Sequence, residues 1–362
     1  MLKKSLSFSL LLFLIVFSLN CSKDDSPEPA DTPGLYFPPK SGETWETVSL
    51  DELGWKRDNL QPLLDFLDEN GTKAFIILKD GKIAVEWYSS DFNSGTFHTW
   101  NSAAKTLAAF TIGIAQKEGY LDINESSQLY LGAQWSDMTD AQEKAITIRN
   151  HLTMTTGLDY TVAQPFCTDP EDLIYKNGPG TFWYYHNAPY QLTHAIITGA
   201  TGQNFPDYFY EKIRDKIGMK GRWVSSGCLE LYFSDARSMA RFGLLNLNKG
   251  KWDNEVILDD SDYFNDMVST SQNLNKAYGY LWWLNGKDSY RLPSSEAQYT
   301  GNLIPSAPKD MYAGLGKNDQ KLYVIPSINL VVVRLGDSAY GEAFAASGFD
   351  EDLWIKMNLL IN

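Results

Sequence analysis

Apolar positions change period along this chain, and each change marks an element. Leu60, Leu63, Leu64 and Leu67 recur at helical spacing, which predicts an amphipathic helix from Arg57 to Glu69 that stops at Gly71. The run KAFIILKDGKIAVEWY then switches to strand formers around Asp80-Gly81. An Asp-Gly pair between β-formers is a strong hairpin signal, because a tight two-residue turn needs positive φ at both positions. Ala104, Leu107, Phe110, Thr111 and Ile114 share one face, and Gly119 ends the run. A helix from about Ser102 to Glu118 follows. Between about 102 and 225 the patterns are mostly helical, separated by loops. PDYFYEKIRDKIGMKG reads as one helix closed by a glycine, and FSDARSMARFGLLNLNKGKW holds another. Strand patterns return late. YGYLWWLNG is aromatic and β-like, and KLYVIPSINLVVVRLG reads as two strands around Pro326-Ser327. Strands from both chain ends therefore build one α/β layer, with a mostly helical lobe at about 110–225 inserted into it.

Composition narrows the class. With 362 residues, 43% hydrophobic and 14% aromatic, the chain can bury a large core as one domain or two joined lobes. A formal charge of −14 argues against a nucleic-acid partner, which needs a basic stripe. Lys3 and Lys4 precede an apolar run from Leu10 to Phe17, too short for a bilayer span, so residues 1–20 read as an export signal. Their loss would take the formal charge from −14 to −16. Cys21, after Ser-Leu-Asn, resembles the lipobox of bacterial lipoproteins, although Ser18 stands where that pattern usually has Leu. The likeness implies lipidation of Cys21 and a membrane-anchored protein, periplasmic or on the cell surface. An ordinary secretory signal is the alternative. Residues 21–44 interleave Asp24, Asp25, Glu28 and Asp31 with Pro27, Pro29 and Pro33, a composition suited to a disordered tether. The folded domain is expected over 45–362. Cys167 and Cys228 are the remaining cysteines, and both a bridge and two separate thiols stay open.

Ser102 and Lys105 carry the candidate chemistry. Three residues apart at a helix start, they share a side, which puts an amine beside a hydroxyl. Unpaired N–H groups at that end favour negative charge on the hydroxyl. A serine is inert until a base takes its proton. A lysine serves as that base only if burial or nearby positive charge lowers its pKa from about 10.4. The plain alternative is an N-cap serine and a solvated first-turn lysine. A second Ser-x-x-Lys, Ser306 to Lys309, contains a proline and precedes no periodic apolar run.

FWYYHNAPYQLTHAI supplies partners: Tyr185-His186-Asn187, followed by Tyr190 and Leu192. Here the chain resembles the serine β-lactamase and penicillin-binding-protein superfamily, in its class-C-like branch of esterases, peptidases and 6-aminohexanoate-dimer hydrolases. Its Tyr-x-Asn box stands 83 residues after Ser102. Tyr263-Phe264-Asn265 repeats the three letters without the continuation. ITIRNHLTMTTGLDY, SDARSMARFGLLNLNKGKW, YGYLWWL and LYVIPSINLVVVRLG resemble further family segments in the right order, so the likeness spans about Trp45 to Asn362. It implies an α+β, β-lactamase/transpeptidase-like fold: an antiparallel sheet flanked by helices, built from both chain ends, with the helical lobe inserted. The third family box, Lys-Thr-Gly, aligns with Lys317-Asn318-Asp319. Asp319 replaces the glycine, which predicts added bulk and charge where substrate should lie against the strand.

The resemblance implies an acyl-enzyme on Ser102, with Lys105 as base and Tyr185 as proton relay. It also implies Asn187 steering Lys105 and substrate, Lys317 attracting a substrate carboxylate, and the N–H groups of Ser102 and Gln320 holding the oxyanion. Trp183, Tyr184, Trp282 and Trp283 are candidate pocket walls. The expected substrate is a small or peptide-like ester or amide, with no cofactor and no metal. His98, His151, His186 and His194 form no metal motif, and no Gly-x-Ser-x-Gly elbow or phosphate-binding glycine loop occurs. A β-lactamase or D-Ala carboxypeptidase, and a non-catalytic ligand-binding lipoprotein that keeps the fold, are the alternatives.

Overall fold

The protein is described by a computed structural model that covers residues 34–341 and 345–362. The export signal at 1–20, Cys21 and most of the 21–44 tether lie outside the described residues. Helix α1 (Leu60–Glu69) buries Leu63, Phe66 and Leu67 and leads into the hairpin of β1 (Thr72–Lys79) and β2 (Lys82–Tyr88). Asp80 and Gly81 at its turn have φ of 51° and 83°, the left-handed geometry the pair suits. A 3-10 turn over Asn101–Ala104 runs into α2 (Lys105–Lys117). The expected single helix thus begins as a 3-10 turn, which Asn101 enters with φ 46°. Every residue of α2 from Lys105 to Ala115 is buried, so the helix is enclosed on all sides rather than one.

The helical region contributes α3 (Asn187–Thr201). PDYFYEKIRDKIGMKG is not one regular helix: α-helix over Phe205–Phe209 widens to a π turn over Tyr210–Arg214. A hairpin of β3 (Arg222–Ser226) and β4 (Leu229–Ser234) precedes α4 (Ala236–Leu247), whose first turn is capped by Asp235 accepting the Ser238 N–H. The late strands are β5 (Trp283–Leu284), β6 (Tyr312–Gly316), β7 (Gln320–Ile325) and β8 (Leu330–Gly336), and α5 (Gly348–Ile361) closes the chain. Of YGYLWWLNG only β5 is strand. Leu281 has φ 59°, which breaks the run, while Tyr278, Tyr280 and Trp282 are buried around it.

Among the described residues the main sheet runs β2-β1-β8-β7-β6-β5, antiparallel throughout. Both chain ends build it, as expected. Successive strand residues face opposite sides. Leu322 lies against Gly243 of α4, while its neighbour Tyr323 packs on Trp354 of α5. The sheet is therefore covered on one face by α4 and on the other by α5, beside which α1 packs. Among the described residues no helix is long and apolar enough to cross a membrane.

Candidate active site

The site is assembled where the turn before α2 meets the end of β6 and the start of α3. Trp100 fixes the approach: its N–H donates to the Tyr232 carbonyl at 2.9 Å and its indole N–H to Ser234 Oγ at 2.7 Å. Asparagine tolerates the left-handed region better than most residues. At position 101 it also donates from Nδ2 to the Lys317 carbonyl at 2.8 Å. The nucleophile's turn is thereby tied to the end of the sheet. Ser102 lies inside this turn rather than at its cap, and its hydroxyl has side-chain partners.

Lys105, the first residue of α2, is one of them. Its Nζ lies 2.9 Å from Ser102 Oγ and 2.8 Å from Asn187 Oδ1, and the residue is 3% exposed. No carboxylate pairs with it among the described residues. Burial alone pushes its amine down to about 7. The Tyr185 and Tyr190 rings lie 5.0 and 4.4 Å from the amine, with faces that attract an ammonium. Tyr185 behaves oppositely: burial raises its phenol above the ordinary value, although a hydrogen bond with Ser102 pulls it down. Near neutral pH the amine can therefore be the base, while the phenol keeps its proton. Ser102, Lys105, Tyr185 and Asn187 are thus brought together.

A cavity of about 340 Å³ opens onto them, with Tyr160, Phe166, Tyr184, Glu230 and Lys317 among its walls. Tyr184 borders it, but Trp183, Trp282 and Trp283 do not; they are core, at 0%, 0% and 2% exposure. Trp283 instead stacks on Tyr185, with ring centroids 5.7 Å apart. Gln320 does not border the cavity either. It is fully buried, donates from Nε2 to Gly336 O at 2.6 Å and accepts the Gly336 N–H at 3.0 Å. Its side chain is therefore spent within the fold. The residue of that turn which does border the cavity is Lys317.

Cys167 and Cys228 are disulfide-bonded, joining the loop that carries Phe166 to the β3–β4 hairpin that carries Glu230. Sequence reasoning missed Asn101, Gln191 and Glu230. A signal existed only for Asn101, an αL-tolerant residue directly before the serine. The other two are brought to the cavity by tertiary packing.

A family model described as Beta-lactamase matches residues 69–353. The chain belongs to the beta-lactamase family. Three solved structures illustrate its relatives. A candidate 6-aminohexanoate-dimer hydrolase from Bacillus anthracis is 20% identical, with TM-score 0.66, covering 88% of this chain and 86% of its own. A candidate beta-lactamase from Bacteroides dorei DSM 17855 is 16% identical, with TM-score 0.67, over 85% and 99%. EstCE1, a hydrolase with promiscuous acyltransferase activity, is 13% identical, with TM-score 0.62, over 86% and 99%. At such identity these structures share the fold. No curated protein matches the sequence.

Within this beta-lactamase fold the third box is rebuilt rather than obstructed. The expected bulk and charge of Asp319 do not enter the cavity: the residue is 4% exposed and turned inward. Its carboxylate accepts the Ala339 N–H at 3.0 Å and the Ser347 hydroxyl at 2.7 Å, and lies 3.1 Å from Lys321 Nζ. Burial pushes this carboxyl up, but the Lys321 charge and these donors hold it below its ordinary value. Lys321 in turn pairs with Asp350 at 2.7 Å. Asn318 and Asp319 have φ of 59° and 57°, so the turn adopts backbone suited to glycine and is held by this buried network instead.

Proposed function

We propose that this beta-lactamase-family protein is a serine hydrolase that cleaves an ester or amide through an acyl-enzyme on Ser102. The observation that carries the reading is the 2.9 Å approach of Lys105 Nζ to Ser102 Oγ, with the amine lowered to about 7 by burial. A neutral amine has a lone pair for the serine proton as Oγ attacks the substrate carbonyl. The Ser102 N–H lies at the start of its turn, where helical geometry gives it no acceptor. With a backbone N–H from the turn between β6 and β7, it would hold the oxyanion. The Tyr185 phenol then gives its proton to the leaving oxygen or nitrogen and recovers one from Lys105. In the second half, water loses a proton to the same pair as it attacks the acyl carbonyl, and the pair passes that proton to Ser102 Oγ as the acyl–oxygen bond breaks. Asn187 fixes the amine through Oδ1.

A fluorophosphonate probe tests the reading: wild type should be labelled and Ser102→Ala should not. Labelling that survives in Ser102→Ala, or an unlabelled wild type, sinks it, and the second result favours the non-catalytic binder. A p-nitrophenyl ester should turn over faster than a chromogenic cephalosporin, and a clear preference for the cephalosporin would favour the β-lactamase alternative.

A further inference from the structure

We infer that Arg334 is a positioning residue for hydrolysis at Ser102: from inside the sheet it sets the peptide groups of the β6–β7 turn that serve the oxyanion, without touching substrate. The inference rests on the hydrolase reading of the same site. Arg334, on β8, is fully buried and stands opposite Phe75 of β1 and Lys321 of β7. All five of its N–H donors find acceptors. Nε donates to Thr72 Oγ1 at 3.0 Å, and Nη2 to the carbonyls of Asn70 and Asp337 at 2.8 and 2.7 Å. Nη1 donates to the carbonyls of Asn318 and Asp319, each at 3.0 Å. One planar fork thus ties two successive peptide groups of the third box to the entry of β1 and the end of β8. Burial pulls the guanidinium down to about 10 and the Asp319 charge opposes this, so the fork stays cationic near neutral pH.

Asn318 and Asp319 are held in left-handed backbone, φ 59° and 57°, by these contacts. Hydrogen bonds from a charged donor are roughly twice as strong as neutral ones, which suits them to hold a strained turn. Gln320 Nε2 adds a second donor to the Asn318 carbonyl at 2.7 Å. In a trans peptide the N–H points opposite to the carbonyl, and no cis peptide occurs among the described residues. With the Asn318 and Asp319 carbonyls turned to the guanidinium, the N–H groups of Asp319 and Gln320 are turned away from it. Lys317, next in the turn, borders the cavity, and its carbonyl accepts from Asn101, directly before Ser102. Arg334 therefore fixes, from the buried side, the peptide planes of a turn whose other side meets the nucleophile. A lysine at 334 would keep the charge, but a flexible point charge cannot hold both pairs of carbonyls in one plane.

A trifluoromethyl ketone tests this in the full chain. Ser102 Oγ bonds to its carbonyl carbon as Lys105 takes the hydroxyl proton, the carbonyl π pair becomes the charge on the hemiketal oxygen, and nothing leaves. Carbon NMR of the isotope-labelled carbonyl reads the ionisation of that oxygen, which a well-placed N–H favours. Arg334→Lys should raise the hemiketal pKa by about two. It should also lower kcat for p-nitrophenyl acetate about 100-fold with KM within about twofold, the cost of losing one oxyanion donor. A merely structural arginine would lower Tm and leave the hemiketal pKa, kcat and KM of the folded protein unchanged, and that result overturns the inference. Where Arg334→Lys does not fold, Thr72→Val decides, because it unpairs Nε alone: the hemiketal pKa should rise by a smaller step, and an unchanged value overturns the inference. A wild type that forms no ketone adduct and takes no fluorophosphonate label sinks the hydrolase reading, and the inference with it.

Discussion

Lys105 is carried into the interior at an electrostatic cost, since taking an amine out of water without a carboxylate disfavours its charge. Its folded pKa of about 7 lies below the unfolded value of 10.5. Between these values the unfolded chain holds a proton that the native chain lacks, so stability rises with pH across that window. Below about 7 both states are charged and the whole penalty is present. Activity should follow the same group: kcat/KM should fall about tenfold per pH unit below a midpoint near 7. Tyr185, raised by burial, keeps its proton throughout and should add no limb there. Lys105→Met should abolish acylation while raising the Tm at pH 6 relative to wild type. Rate profiles and thermal unfolding at pH 6 and 9 check both; a rate that is flat from pH 6 to 9 rules out this base. The Ser-x-x-Lys spacing was legible in the sequence. The charge state of the lysine was not, because it depends on what encloses the amine, and α2 proved buried all round.

Between elements, the site depends on how closely β6 passes the turn that carries Ser102. Gly316 ends β6, and a Cβ built there would meet the Trp100 carbonyl oxygen at 2.3 Å and the Ala103 nitrogen at 3.0 Å. Both are backbone atoms, so neither can rotate away. Gly316→Ala should push the strand from the turn, and with it Lys317 from Ser102. Displacement on the scale of 1 Å costs about 100-fold in rate, whereas overpacking costs about 1–3 kcal/mol of stability. Labelling by the fluorophosphonate should therefore slow about 100-fold in a protein that still unfolds cooperatively. Near-normal labelling would mean that the turn tolerates the shift. The β1–β2 hairpin, α1 and the strand pair β7–β8 could be read from period and turn residues, because local sequence decides them. The short β5, the divided start of α2 and the inward-facing Asp319 could not, since each is set by residues distant in sequence. The alignment put Lys317 and Asp319 in one box, and of the two only Lys317 borders the cavity. It could not say that the carboxylate would find Lys321, Ala339 and Ser347.

For the molecule as a whole, the Cys167–Cys228 bridge links two segments 61 residues apart, and both border the cavity rather than the catalytic turn. Cys167 follows Phe166, and Cys228 precedes Leu229, Glu230 and Leu231, all of them cavity walls. The Cys228 carbonyl also holds Gln191. Closing a loop of that length restricts the unfolded chain by about 4 kcal/mol in the entropic account, and measured values often fall lower. Ser102 and Lys105 are fixed by other means: Trp100 on β4, Asn101 on Lys317, and Asn187 at the head of α3. Losing the bridge should therefore loosen the walls and leave the reacting atoms in place. Cys228→Ser, or reduction of wild type through the exposed Cys228, should lower stability by about 2–4 kcal/mol. KM for an ester should rise several-fold, with kcat within about twofold, because uniform binding is lost and transition-state contacts are kept. Denaturant unfolding and steady-state kinetics in the two redox states separate the effects. A fall in kcat at constant KM would instead tie the bridge to the nucleophile's turn, and unchanged kinetics with lower stability would make it a staple of the fold with no hold on substrate.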